Sequence, residues 1–94
     1  MKTKTPKDLQ IKELRQIPGV GASIAEDLIN IGITSVNDLK NKNPEDLYNQ
    51  SNKFAGVIQD RCLLYVFRCA VYYATQTNHK KEKLLWWNWM DDKL

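Results

Sequence analysis

The chain has 94 residues, 43% hydrophobic and 27% charged, enough for one domain to bury a core without metal or disulfide staples. That balance argues against a disordered chain, and a formal net charge of +3 permits a polyanionic partner without the dense basic stripe of a dedicated DNA binder. No apolar run approaches the roughly 20 residues that a membrane span needs.

Residues 1–5 read as a flexible leader: Lys2 and Lys4 supply charge, but no apolar stretch follows, so this is no signal peptide. Residues 6–94 read as a single domain. Thr5-Pro6-Lys7-Asp8 offers a capping hydroxyl, a proline for the first turn and an acid three residues after the cap, predicting a helix from about 6 to 16. Ile17-Pro18-Gly19-Val20-Gly21 breaks it. Ile24, Ala25, Leu28 and Ile31 then recur with a helical period over about 22 to 31, and Gly32 stands where a left-handed C-terminal cap is wanted.

Ser35, with Asp38 three residues on, predicts a short third helix, and Asn43-Pro44-Glu45-Asp46 starts a fourth. A fifth and longest helix is expected from about 58 to 77. Leu63, Leu64, Val66, Phe67, Ala70, Val71, Tyr73 and Ala74 cover most of its circumference, as in a buried central helix. Arg61, Tyr65, Arg68 and Tyr72 fall on its one polar strip. Trp86, Trp87 and Trp89 form an aromatic C-terminal segment expected to fold back across that helix. No stretch alternates with a period of two, so the class is all-α: a compact bundle of about five helices.

The turn carries the chemistry. Glycines at 19 and 21 are expected to let the chain pass through conformations closed to other residues, while Val20 points inward and pins the turn. The amides of the hairpin and of the next helix's first turn are left facing out, an anion site for a phosphate oxygen. Leu14, Ile17, Pro18, Gly19, Val20, Gly21, Ala25 and Leu28, at this spacing, resemble the helix-hairpin-helix family of DNA-backbone binders. The resemblance implies that Gly19, Val20, Gly21, Ala22 and Ser23 hold duplex phosphate without reading bases, with Lys12 and Arg15 as flanking charges. Many members place a lysine just after the second glycine; here stand Ala22 and Ser23.

Phe54-Ala55-Gly56-Val57-Ile58 repeats the apolar-x-Gly-Val pattern, so the fold is either a tandem unit with a degenerate second hairpin or a single motif. Asp60 after it would repel phosphate, which makes a second unit structural. Over about 9 to 91 the chain also resembles a small bacterial family of pathogenicity-locus or mitomycin-resistance proteins. The resemblance is carried by the first hairpin, the run Gln59 to Tyr73 with its paired arginines and cysteines, and Trp86-Trp87-Asn88-Trp89. It implies a helix-hairpin-helix fold and a DNA-linked role.

The alternative function is a protein-interaction adaptor or scaffold, its partner surface formed by Arg61, Tyr65, Arg68 and Tyr72 with Trp86, Trp87 and Trp89. Against it, the arginines are expected to stack on the tryptophans and lock the tail, with at least two tryptophans packed as a lid. Cys62 and Cys69 lie seven residues apart on one helix, about 10.5 Å of rise, too far for a disulfide. They are expected to be small core residues in a reduced, cytoplasmic protein. His79 in a polar linker has no companion ligands, so no metal is expected. Asp91 and Asp92 read as solvated. No nucleophile, base or phosphate-binding lysine loop is assembled, so the chain reads as a non-enzyme without small-molecule substrate. The only cofactor the sequence leaves open is a monovalent cation at the hairpin.

Overall fold

A computed structural model of the chain describes residues 6–93, leaving the expected leader at 1–5 outside the described residues. Four α-helices carry the fold: α1 (Pro6–Leu14), α2 (Ala22–Asn30), α3 (Pro44–Ala55) and α4 (Arg61–Thr75). Three short 3-10 turns follow α4, and no strand occurs among the described residues.

The third expected helix is a correction. Residues Asn37–Leu39 form only a 3-10 turn, so four α-helices stand where five were expected. Its start signal works locally: the Asp38 amide donates to Ser35 Oγ at 3.2 Å. In return the Asp38 carboxylate accepts from the Thr34 amide and hydroxyl, both at 3.1 Å. Leu39 is fully buried, and Asn41, in the left-handed region at φ 62°, turns the chain two residues later. One turn is all that fits between these two constraints.

α4 is the centre of the molecule. It packs against α3 on one side and the C-terminal turns on another, and it buries Leu63, Leu64, Val66, Phe67, Cys69 and Ala70. Leu14 of α1, Ile17 and Val20 of the turn, and Ala25 and Leu28 of α2 join Phe67 in a single apolar cluster. Phe67 has no exposed surface, and removing a side chain so enclosed costs about 3–5 kcal/mol.

α3 and α4 are joined by a second tight turn, with Gly56 in the left-handed conformation (φ 75°) closing α3. Gln59 buckles this turn onto α3: its amide donates to Asn52 Oδ1 at 2.9 Å, its side chain to Ser51 Oγ at 2.9 Å, and its carbonyl accepts from the Tyr48 hydroxyl. These bonds hold 59 and 60 outside the helix, so α4 starts at Arg61, later than the apolar pattern suggested. The tail crosses α4 as Lys81–Leu84, Trp86–Trp89 and Asp91–Lys93, each a 3-10 turn. No described helix is long and apolar enough to cross a membrane.

Candidate nucleic-acid interface

The first turn descends from Leu14, whose carbonyl accepts the Ile17 amide, while the Ile17 carbonyl accepts the Val20 amide at 3.1 Å. Ile17 and Val20 are both buried, which fixes the turn between α1 and α2. Gly19 has φ +87°, a conformation that a side chain resists. It also lies under the tail: a Cβ at Gly19 would sit 3.1 Å from Trp86 Cδ1.

Gly21 departs from expectation. Its φ of −94° and ψ of −174° are extended backbone open to any residue, and a Cβ there would meet nothing within 4 Å. Neither conformation nor packing inside the chain requires glycine at 21. What glycine does is leave the N-terminus of α2 bare. The first helical bond runs from the Ala25 amide to the Gly21 carbonyl at 2.9 Å, no side chain caps the helix, and Gly21, Ala22 and Ser23 are exposed. The amides that precede the first helical bond need a partner from outside the helix.

The starts of α3 and α4 are closed by their own side chains. Asn43 Oδ1 accepts from the amides of Glu45 and Asp46 at the head of α3. Asp60 Oδ1 accepts from Cys62 at 2.8 Å at the head of α4, and that bond holds the Asp60 carboxyl below its usual range. The second turn therefore offers no open anion site. Instead its tip turns Phe54, Val57 and Ile58 outward, Ile58 being 85% exposed, in contrast to buried Val20 of the first.

Lys12 and Arg15 stand exposed on α1 and line one shallow depression of about 510 Å³ with Asp8, Ile11 and Gln16. Among the described residues neither has an ion-pair partner, whereas Lys7 is 3.6 Å from Glu26 of α2.

The polar strip on α4 is engaged from within. Arg61 holds the Asp91 carboxylate through two nitrogens, Tyr65 donates its hydroxyl to Asp91 Oδ2 at 3.0 Å, and Arg68 Nη1 is 3.0 Å from Asp91 Oδ1. Arg68, only 8% exposed, also donates to the Trp89 carbonyl at 2.8 Å and reaches Glu45 of α3 at 3.4 Å. Tyr72 accepts the Lys80 amide on its hydroxyl and lies 5.4 Å from the Trp89 ring. The tail is thus anchored by a carboxylate. A cation does lie over a ring of the tail, but it is Lys83, 5.7 Å from Trp89, and neither arginine. The expectation that Asp91 is merely solvated is corrected: the Arg61 hydrogen bond, with those of Arg68 and Tyr65, holds its carboxyl well below the usual range.

The tryptophans divide. Trp86 packs against the core, Trp89 is half-buried and donates its indole N–H to the Lys83 carbonyl at 2.8 Å, and Trp87 is exposed. The cysteines divide too. Cys69 is buried, and burial pushes its thiol up to about 11. Cys62 is exposed, contrary to its reading as a core residue: it stands beside exposed Arg61 at the start of α4, where burial begins only at Leu63. His79 stacks on Tyr73 with ring centroids 4.8 Å apart and bonds the Tyr73 carbonyl, pinning the linker after α4. The role of Asp91 was missed because nothing in its neighbours marks it; its partners lie 23 to 30 positions away.

An all-α fold with a glycine-bared helix start, and a tail bound down by a carboxylate, defines the class of the protein. Residues 7–93 match the profile of the family described as pathogenicity locus, Cdd1, and the chain belongs to that family. Part of it is also similar to DNA polymerase IV of Shewanella oneidensis, 34% identical over 58 residues, 62% of this chain and 16% of the polymerase. DNA polymerase IV of Photorhabdus laumondii is 35% identical over 54 residues, 57% of this chain and 15% of the polymerase. The matched stretch is thus about one sixth of the length of these relatives. No solved structure matches the chain.

Proposed function

We propose that the chain is a non-enzymatic module that binds nucleic-acid backbone, duplex DNA first, without reading sequence. The observation that carries this reading is the open start of α2, beside two helices whose starts are closed by Asn43 and Asp60. Gly21, Ala22 and Ser23 present backbone donors and the positive end of a helix dipole, which suit a phosphate oxygen. Lys12 and Arg15 add the mobile charge, with Gly19 and Val20 setting the turn. The partial likeness to DNA polymerase IV supports a DNA-related setting. Contacts of this kind position a protein and carry no base information. With few of them, the affinity belongs to the weak range of about 10⁻⁴–10⁻⁶ M. The reading calls for no cofactor.

Fluorescence anisotropy of labelled duplex and single-stranded DNA, at low and moderate salt, tests it. Micromolar binding that weakens with salt is the expected result. Gly21→Asp supplies the decisive variant: its carboxylate fits the extended geometry at 21 and caps α2 as Asp60 caps α4. Binding should fall at least about tenfold while the fold is kept. Wild-type protein that binds no DNA at low salt would overturn the proposal. The adaptor reading would then move from the Arg61–Tyr72 strip, which the tail occupies, to exposed Phe54, Val57, Ile58 and Trp87.

A further inference from the structure

A groove of about 340 Å³ opens beside the first turn, running from Gly19 past α2 to the head of α4. Trp86 forms one wall, Leu63 and Val66 contribute an apolar surface, and Asp27, Gln59 and Asp60 supply the polar atoms. The volume falls within the roughly 300–1,000 Å³ of small-ligand pockets. Its apolar walls with a few placed polar groups have the composition of such a site.

The polar groups are not equivalent. The Gln59 side-chain amide donates to Ser51 and Asn52, and Asp60 Oδ1 is spent on the Cys62 amide. Asp27 is half-buried and has no hydrogen bond or ion pair among the described residues. Burial, and then the neighbouring Glu26, push its carboxyl up from the usual range. What the groove offers a ligand is therefore acceptor oxygen beside an aromatic wall. Carboxylate oxygen there disfavours a phosphate and suits a planar ring carrying N–H donors.

We infer that the groove takes an unpaired nucleobase of the strand whose phosphate rests on the adjacent turn, stacked against Trp86 with its N–H donors on Asp27. The inference rests on the hairpin reading, since Gly19 borders both the bare helix start and the groove. A carboxylate matches two adjacent N–H donors, one to each oxygen, and guanine is the base whose pairing edge presents such a pair at N1 and N2. The ring face supplies stacking that any base can use, and the carboxylate adds the preference for guanine. The site is thus selective for a base in single-stranded, bulged or flipped DNA. The turn beside it stays indifferent to sequence.

The test keeps the whole chain and varies the DNA. Short oligothymidylate strands carrying one central guanine, inosine or abasic residue are titrated by anisotropy against wild type, Asp27→Asn and Gly21→Asp. Inosine lacks only the N2 amino group, so wild type should bind the guanine strand about tenfold tighter than the inosine strand. The abasic strand should be weaker still. Asp27→Asn should bring guanine and inosine together, a ratio that overall charge does not alter, and Gly21→Asp should weaken all three strands alike. Equal binding of the three strands by wild type, with loss in Gly21→Asp, would overturn the groove assignment and leave the hairpin reading standing. No binding of any strand or of duplex would overturn both.

Discussion

The carboxylate of Asp91 lies 3.0 Å from the buried guanidinium of Arg68, 23 positions earlier in the chain, and this contact holds the C-terminal turns against α4. Among the described residues the one other carboxylate that Arg68 meets is Glu45, at 3.4 Å. Arg68→Leu should therefore loosen the tail, which Arg61 and Tyr65 still hold through Asp91, and truncation to Ala should cost about 1.5–3 kcal/mol for the lost charged hydrogen bonds. Urea denaturation followed by tryptophan fluorescence measures the loss, and limited proteolysis shows whether cleavage moves to residues beyond 80.

Acid should unfold the protein through its capping and anchoring carboxylates. Asp38, Asp60 and Asp91 all have folded pKa values below the ordinary one, through the Thr34 amide, the Cys62 amide and the Arg61 guanidinium respectively. Such groups give their full stabilisation above the unfolded value of about 3.9 and lose it as pH falls through the folded values. Asp27 acts in the opposite sense: its raised pKa means that protonation relieves a cost. With three groups against one, the urea midpoint should be flat near neutrality and drop below about pH 4. Asp91→Asn should flatten that drop. An unchanged acid limb in this variant would show that Asp91 does not hold the tail.

The two glycines of the first turn should behave differently. Gly19→Ala forces a side chain into φ +87° and 3.1 Å from the Trp86 ring, and should destabilise by about 1–3 kcal/mol. Gly21→Ala meets neither obstacle and should change stability by less than about 0.5 kcal/mol. Paired denaturation curves decide this. Equal losses at the two positions would contradict the geometry described for Gly21.

Lys12 and Arg15 should contribute to affinity through charge alone. Lys12→Ala or Arg15→Ala should weaken binding to all duplex sequences alike, and each lost phosphate contact should lower the slope of log K against log salt by about 0.9. Salt titrations on two unrelated duplexes suffice. A sequence-dependent loss would place these side chains at base edges instead.

The thiols should react unequally. Cys62 is exposed, whereas Cys69 is buried, its thiol pushed up to about 11 and its sulfur 3.5 Å from the Lys83 carbonyl. Iodoacetamide on native protein near pH 8.5 should alkylate Cys62 alone, and Cys69 should follow only in denaturant. Peptide mass spectrometry resolves the two sites.

Local sequence signals account for the all-α class, the turns at Gly19 and Gly56, the cap at Asn43 and the apolar body of α4, because each depends on a few neighbouring residues or on helical period. Val20 and Ala25 were legible as inward residues for the same reason. The fate of residues at the ends of elements was not. Cys62 and Cys69 share a helical face, yet only the tertiary arrangement covers one and exposes the other. Gly21 looked like a conformational requirement, and only the backbone shows that glycine there does no more than leave α2 open. Asp91, which reads as a solvated chain-end acid, becomes the anchor of the tail once folding brings Arg61, Tyr65 and Arg68 to it. Periodicity specifies which face of a helix is apolar. What covers that face, and which charge meets which, is decided by contacts between residues far apart in the chain.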